Sequence, residues 1–222
     1  QVEAKALRLA LQKCRDVAST DEYRPILTAT LLECDGSTLT LGATDSYRLY
    51  TQCLPATGDP FTALVPASSL GSMVYKAQPP TAVVTLGEHA LEVEAGRSVL
   101  MNVQQQVAPI TFNRDDFGEA LDALHSSRSD QPIVRIHKVE GGHLLSISSI
   151  ADEGAPTPTL RFQGALPATF TRVAFNLNYL RDGLRLLPDD LVQARLRDDR
   201  RPALFSSDDG QRQLLLMPVM VT

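Results

Sequence analysis

The chain has 222 residues, of which 43% are hydrophobic, so it is long enough for one or two domains with apolar cores. Its net charge of −5 argues against a strongly basic nucleic-acid-binding protein, although a local basic face is compatible with that total. The absence of Trp and the 5% aromatic content argue against a surface built to stack bases.

The three cysteines, Cys14, Cys34 and Cys53, form neither a CxxC pair nor an even set for disulfides. Their pattern is typical of small buried hydrophobic residues in a reducing compartment. Apolar runs are too short to cross a bilayer and no secretory segment opens the chain, so we predict a cytoplasmic protein. Residue 1 is Gln rather than Met, which leaves a preceding module open.

The first half of the chain predicts a short extended start followed by a helix to about residue 18, with an apolar stripe at three- and four-residue spacing. Two strands follow, ILTATLLE and STLTLGAT, joined by a turn at residues 34–37. A strand at 61–65 leads into a second helix that ends at Pro79 and Pro80. The last predicted strands of this half are AVVTLG, ALEVEAG and SVLMNV.

The same order of elements returns in the second half. Residues 112–125 predict an extended entry and a helix, and strands follow at 133–137 and 144–150. A strand at 171–175 precedes the helix NLNYLRDGLRLL, and the strands LVQARLR, PALFSS and LLLMPVMV end the chain. This duplication predicts an α+β fold of two tandem domains, 1–108 and 109–222, each with an antiparallel sheet and two helices on one face.

Three separated motifs resemble a known family. RPILTATLLECDGSTLTLGATDSYRL, at residues 24–49, resembles the middle domain of the bacterial replicative sliding clamp, the β subunit of DNA polymerase III. VAFNLNYLRDGL and the terminal LLLMPVMV resemble the last domain of that clamp. The resemblance covers nearly the whole chain but two of the three clamp domains. It implies the DNA-clamp fold and a ring that encircles duplex DNA without reading its sequence.

The resemblance also implies a groove that binds short apolar peptides of DNA polymerase and other partners. Leucine, tyrosine and methionine side chains would form its floor, and Arg48 and Asn176 would satisfy backbone groups of the peptide. Carried over by position, the groove residues are Leu27, Thr44, Ser46, Tyr47, Arg48, Leu49, Asn176, Tyr179, Leu215, Leu216, Met217, Pro218, Val219 and Met220.

Helices that line such a ring carry Lys and Arg, which contact phosphates irrespective of sequence. The predicted DNA-facing residues are Lys5, Arg8, Arg15, Lys76, Arg181 and Arg185. The third predicted helix departs from this pattern, because Asp115, Asp116, Glu119 and Asp122 outnumber Arg114 and Arg128. The same cations are also compatible with an ordinary solvated helix face.

The chain departs from the clamp pattern in three further respects. The segment between the domains is the brief VQQQVAPITF, without the aromatic-Arg-Arg character of the family. Met220 stands where the family commonly has a basic residue. One domain is missing, so a ring of six domains would need a homotrimer. The resemblance also implies a clamp loader as a partner.

The sequence offers no phosphate-binding GxxxxGK[ST] loop, HExxH, GxSxG or GxGxxG motif. We therefore predict that the protein is not an enzyme and needs no cofactor or metal. Two alternatives to a ring stay open: a clamp-like effector or dimerisation domain of a helix-turn-helix transcription regulator, and a decoy that binds clamp partners without encircling DNA.

Overall fold

The computed structural model describes residues 1–70, 81–82, 107–124, 132–150 and 157–221. The chain folds into two compact units, one of Gln1–Gly96 with Gln211–Gln213 and the other of Arg97–Gly210 with Leu214–Thr222. The predicted strands between residues 83 and 103, together with Lys76 and Arg128, lie outside the described residues. The domain boundary after residue 108 stays a prediction, because the segment that precedes it lies outside them too.

The first unit begins with strand β1 (Val2–Glu3) and helix α1 (Ala4–Val17). A 3-10 helix at Pro25–Thr28 precedes strands β2 (Ala29–Cys34), β3 (Thr38–Thr44), β4 (Arg48–Pro55) and β5 (Phe61–Pro66). Residues 67–70 are helical, and β6 spans Thr81–Ala82. The antiparallel strand order is β5-β2-β3-β4, and β1 pairs separately with β6.

The second unit repeats the alternation of strand, helix and hairpin. Strand β7 (Ile110–Asn113) leads into helix α2 (Arg114–Asp122), then come β8 (Ile133–Lys138), β9 (Leu144–Ser149) and β10 (Thr159–Arg161). Strand β11 (Arg172–Asn176) leads into α3 (Leu177–Leu186), followed by β12 (Leu191–Arg195), β13 (Ala203–Ser207) and β14 (Arg212–Leu216), of which the last three residues belong to this unit.

In each unit, the strand that precedes one helix pairs with a strand that follows the other helix. In the second unit β11 joins β8-β9-β10, whereas β7 pairs with β12. In the first unit β5 joins β2-β3-β4 in the same way, and β1 pairs with β6. Over the described residues, the strands of the two units therefore pair in the same antiparallel way, in agreement with the predicted α+β class and duplicated plan.

A repeated Phe-Asn pair starts both helices of the second unit. Phe112 and Phe175 are buried at the ends of β7 and β11. The following Asn113 and Asn176 cap α2 and α3, since each side-chain oxygen accepts hydrogen bonds from two backbone N–H groups of the first turn. In the first unit the corresponding cap is Glu3, which accepts from the N–H groups of Lys5 and Ala6.

The structure corrects three sequence expectations. The strand predicted from Ile26 begins at Ala29, because Pro25 starts a 3-10 helix. Strand β4 was not predicted, since inward-facing Gln52, which accepts a buried hydrogen bond from the Tyr50 hydroxyl, interrupts the apolar alternation. The last strand ends at Leu216 rather than Val221, because Pro218 has no N–H to donate to a strand partner.

Apolar side chains of the helices and of one sheet face form the core. The alternation of buried and part-exposed residues along β8, β9 and β10 puts Val134, Ile136, Leu145, Ile147 and Leu160 on one face. The opposite face carries the polar residues of these strands. In the part of the chain that is described, none of the helices has the length and apolar composition needed to cross a membrane.

Candidate functional site

The turn between β3 and β4 carries five of the predicted groove residues. Thr44 Oγ1 donates to the Arg48 carbonyl at 2.8 Å and accepts from the Ser46 N–H at 3.2 Å. Asp45 Oδ1 accepts from the N–H groups of Tyr47 and Arg48. Ser46 has a φ of 82°, an uncommon value for a residue other than glycine, so the turn holds a strained backbone in one shape.

Arg48 has a structural role within the first unit. Its Nε lies 3.0 Å from Asp45 Oδ2, and both side chains are largely buried. Its Nη2 donates to the Asp16 carbonyl in the last turn of α1, at 3.3 Å. Arg48 therefore ties the β3–β4 turn to the C-terminal end of α1, where a cation also interacts favourably with the helix dipole.

Three exposed apolar side chains lie around this turn, and sequence reasoning named one of them, Tyr47. The Arg24 guanidinium donates to Ser46 Oγ at 2.9 Å, which joins the segment at residues 21–26 to the turn. Tyr23 is 97% exposed and Ile26 is 62% exposed on that segment. Ile26 follows Pro25 directly and Tyr23 precedes it by two residues, and the turn there leaves both large side chains in solvent.

In the second unit, the predicted groove residues surround the start of α3. Asn176 Oδ1 accepts from the N–H groups of Asn178 and Tyr179 at 2.9 and 3.3 Å. The Val219 N–H donates to the Ala174 carbonyl at 2.8 Å, so the C-terminal segment runs beside β11. The cap and the segment bring Asn176, Tyr179 and Val219 to one end of β11.

Exposure separates the C-terminal residues into two groups. Leu215 and Leu216 are buried, at 6% and 0% exposure, so their side chains belong to the core. Met217 and Met220 are 41% and 64% exposed. The two methionines are therefore the large C-terminal side chains that a partner can contact. Whether these residues and those of the first unit form one groove stays a prediction.

The first helix presents the predicted cations to solvent. Lys5 and Arg15 are exposed, and Arg15 Nη2 lies 3.6 Å from Asp16 Oδ1. Arg8 is only part-exposed. The helix carries four basic residues and one acidic residue, so its polar side is basic. Because both partners of the Arg15–Asp16 pair are solvent-exposed, that pair holds Arg15 only weakly.

In the second unit, the predicted cations lie beside carboxylates. Arg181 Nη2 lies 2.5 Å from Asp122 Oδ1 of α2, and Arg185 Nη1 lies 3.3 Å from Asp182 Oδ1. Arg114, at the start of α2, pairs with Asp115 at 2.9 Å. The three arginines line a cleft of about 370 Å³ together with the carboxylates of Asp115 and Asp122. This cleft is therefore a weaker phosphate site than its arginines alone suggest.

The cysteines carry no evident chemistry. Burial raises the pKa of the Cys14 thiol to about 12, against which the nearby Lys13 charge acts only weakly, so the reactive thiolate is absent at neutral pH. Cys34 is buried as well, and Cys53 Sγ lies 3.6 Å from Thr40 Oγ1. Within the described ranges, no cluster of His, Cys, Asp and Glu is suited to hold a metal ion.

The sequence comparison and the structural comparison both match this chain to sliding clamps. The beta sliding clamp of Streptomyces coelicolor is 25% identical over 252 residues, which cover 100% of this chain and 66% of the clamp. The crystal structure of the DNA polymerase III beta subunit from Thermotoga maritima matches with a TM-score of 0.80 and 18% identity, over 100% of this chain and 65% of that one. The chain has the sliding-clamp fold.

A third match is the Pseudomonas aeruginosa sliding clamp bound to griselimycin, with a TM-score of 0.74 and 20% identity over 99% of this chain and 64% of that clamp. No protein-family model matches the chain. The predicted resemblance to the sliding clamp and the predicted class of clamp domains are both confirmed. The chain spans about two thirds of the length of these clamps, and its assignment to their second and third domains stays a prediction.

Proposed function

We propose that the chain is a processivity factor of DNA replication, a subunit of a clamp-like ring that encloses duplex DNA and tethers a polymerase. The supporting observation is the similarity to proteins named beta sliding clamp, which extends over the whole chain in sequence and in fold. In this proposal the protein acts in the cytoplasm, is not an enzyme and uses no cofactor. Its partners are DNA, polymerase peptides and a clamp loader.

Assembly is the first test of this proposal. One chain has a mass of 24.2 kDa, and a trimer supplies six clamp domains. Light scattering coupled to size exclusion, with sedimentation velocity, is expected to give a particle of about three chains with a central hole in electron micrographs. A species that stays monomeric at micromolar concentration contradicts the ring.

The second test compares how well circular and linear DNA retain the protein. A ring that encloses DNA is retained on a circular plasmid and is released when a restriction enzyme linearises the plasmid. An equal loss from circular and linear DNA contradicts encirclement. Because a closed ring can need a partner protein to open it, the trimer is dissociated by a mild salt step and reassembled in the presence of the plasmid. A sample treated in the same way without plasmid is the control.

The peptide groove is proposed to include Tyr179 and Met217 as contacts for an apolar partner peptide. Replacing either residue with Ala is expected to weaken a clamp-binding peptide by about 1–3 kcal/mol, the range for a buried anchor. Calorimetric titration measures this change. Leu191→Ala is the matched control, since Leu191 is an equally exposed apolar residue of the second unit outside the proposed groove. An equal effect of all three variants removes the assignment.

Griselimycin offers an independent probe, because the Pseudomonas aeruginosa clamp was crystallised with it. We expect this chain to bind griselimycin and to release a bound peptide as the compound is added, in a fluorescence displacement assay. Binding without displacement assigns the compound and the peptide to different sites, which contradicts a shared groove.

A second candidate function is a clamp-like interaction module that does not enclose DNA. The observation that favours it is the Asp122–Arg181 pair, together with an α2 that carries four acidic residues. An acidic helix repels phosphate and would weaken a ring that depends on helix cations. Peptide affinity in a stable monomer that is not retained on circular DNA supports this module over the ring.

A further inference from the structure

The face of the second unit's sheet that points away from its core is basic. Strands β8, β9 and β10 alternate between buried apolar residues and outward residues that are mostly polar, and the register puts Arg172 of β11 on the same outward face. The apolar residues of this face are Ile133, Leu144 and Ala174. The outward side chains include Arg135 and His137 on β8, Arg161 on β10 and Arg172 on β11. None of the three arginines forms an ion pair with another residue in the described part of the chain.

The strand register places these side chains in a defined pattern. Arg172 lies opposite His137, which lies opposite Ser146, which lies opposite Thr159, in one row across the four strands. Arg135 is two residues from His137 along β8, which puts its Cα about 8 Å from that of Arg172 by the spacing of an antiparallel sheet. Arg161 is about 16 Å from both arginines by the same spacing.

Apart from His137, the side chains between the arginines are uncharged. Leu144, Ser146 and Ser148 occupy the outward positions of β9, and Leu144 lies opposite Arg161, whose outward neighbour on β10 is Thr159. Their hydroxyl groups can donate to phosphate oxygens, and none of the outward residues of these strands is acidic. We name this surface, formed by Arg135, His137, Ser146, Ser148, Thr159, Arg161 and Arg172, the arginine face.

The matching face of the first unit differs in charge. The register of β5-β2-β3-β4 puts Leu31, Glu33, Thr40 and Thr62 on the outward face, and Glu33 is the charged residue among the outward side chains of β2, β3 and β5. A basic sheet face is therefore not a consequence of the shared topology. It belongs to the second unit, whose helices are the less basic ones.

We propose that the arginine face binds the phosphate backbone of duplex DNA without reading its sequence. The arginines supply the charge that phosphates attract, and their triangle is wide enough to reach both strands across a groove about 12 Å wide. No Phe, Tyr or Trp lies among the outward residues of these four strands, which removes the stacking platform that single strands use. The occupant is therefore a duplex rather than a single strand.

The test uses fluorescence anisotropy with a labelled 20-base-pair linear duplex over a range of salt concentrations. Replacing Arg135 and Arg172 with Ala is expected to lower affinity at low salt by about tenfold or more. The slope of log affinity against log salt is expected to fall by about 1.8, since each lost phosphate contact removes about 0.9. An unchanged slope overturns the proposal.

The matched control is Arg181→Ala with Arg185→Ala, which removes the same charge from α3. A larger loss in this control than in the arginine-face variant assigns the DNA contact to the helices and overturns the proposal. Replacing Arg135 and Arg172 with Lys is expected to retain most of the salt slope, because a phosphate contact needs the charge. Urea unfolding of every variant shows whether the unit stays folded.

A local readout comes from His137, which lies between Arg135 and Arg172 across the sheet. Partial burial lowers the pKa of His137 and the two arginine charges lower it further. Ser146, its neighbour on β9, is uncharged. Phosphates bound at this face are expected to raise the His137 pKa in an NMR titration, and a pKa that does not respond to the duplex contradicts binding there.

Two further probes separate other occupants. A single-stranded oligonucleotide of equal length that binds more tightly than the duplex, or a polyglutamate peptide that does so, overturns the assignment to duplex DNA. Since a short linear duplex does not depend on a closed ring, this assay can succeed where the ring test fails. If the arginine face does not bind the duplex, the particle mass measured in the assembly test is unaffected, so the two proposals can fail independently.

Discussion

The two units share a topology but place their cations on opposite kinds of surface. In the first unit, α1 carries four basic residues and one acidic residue, whereas Glu33 is the charged outward residue of β2, β3 and β5. In the second unit, α2 carries one basic residue and four acidic residues, and the sheet face carries three arginines. The strand pairing depends on buried apolar residues, so surface charge was free to diverge between the duplicated units.

The largest expected effect tests the basic side of α1. Changing Lys5 and Arg15 to Glu is expected to lower duplex affinity by more than tenfold at low salt, because two attractive charges become repulsive. Anisotropy with a labelled duplex measures the change. The control is Arg200→Glu with Arg201→Glu, which changes net charge equally in an exposed turn of the second unit. Equal losses mean that net charge, not the surface of α1, governs binding.

Alanine substitutions at two helix glycines are expected to give the next largest effects, since one lowers the free energy of unfolding and the other raises it. A Cβ at Gly183 in α3 would collide with a Leu214 methyl carbon in the core, so Gly183→Ala is expected to destabilise the protein by about 1–3 kcal/mol. Gly118 in α2 has open space, and Gly118→Ala is expected to stabilise by up to about 1 kcal/mol. Urea unfolding measures both. Stabilisation by both variants contradicts the close packing of α3.

The second unit caps its helices with Asn113 and Asn176, whereas the first unit uses Glu3, and substitutions at the two asparagines are expected to have a smaller effect on stability. Asn176→Ala and Asn113→Ala are each expected to cost about 1 kcal/mol, since two backbone N–H groups lose their acceptor. Replacing either residue with Asp keeps the acceptor and adds a favourable charge at the helix start. Asp is therefore expected to retain or raise the unfolding midpoint. Equal losses with Ala and Asp contradict the capping role.

The smallest expected effect is the pH dependence contributed by His137. Its folded-state pKa is lowered, so the native protein binds this proton less readily than the unfolded chain does. The stability is unaffected well above the ordinary value of 6.5 and falls as the pH drops through the folded-state pKa. His137→Gln is expected to flatten this acidic decline in urea midpoints measured between pH 7.5 and about 5. A steeper decline in the variant contradicts this sign.

Much of the fold was predictable because it depends on local patterns. The three- and four-residue spacing of Leu7, Leu11 and Cys14 predicted α1, and those residues are buried. The alternation in IVRIHK and LLSISS predicted β8 and β9 within one residue of their observed ends. Strand β4 was missed because its inward Gln52 is satisfied by Tyr50, a contact that no periodicity reveals.

The candidate sites were less predictable, because they depend on contacts between distant residues. The family motif named Arg48 as a peptide contact, but its pairing with Asp45 and with the Asp16 carbonyl gives it a role within the unit. It named Leu215 and Met217 alike, whereas the fold buries the first and exposes the second. Tyr23 and Ile26 were not named, although both are more exposed than Tyr47.

By itself the sequence determined the order of strands and helices apart from β4, together with the duplicated plan, because these follow from apolar periodicity within a few residues. Only the tertiary structure decided which cations are neutralised and which stay open. Asp122 and Arg181 are far apart in the chain and pair across two helices, and strand register puts three arginines of separate strands on one face of a sheet. Charge pairing acts through space, so the fold had to place the partners first.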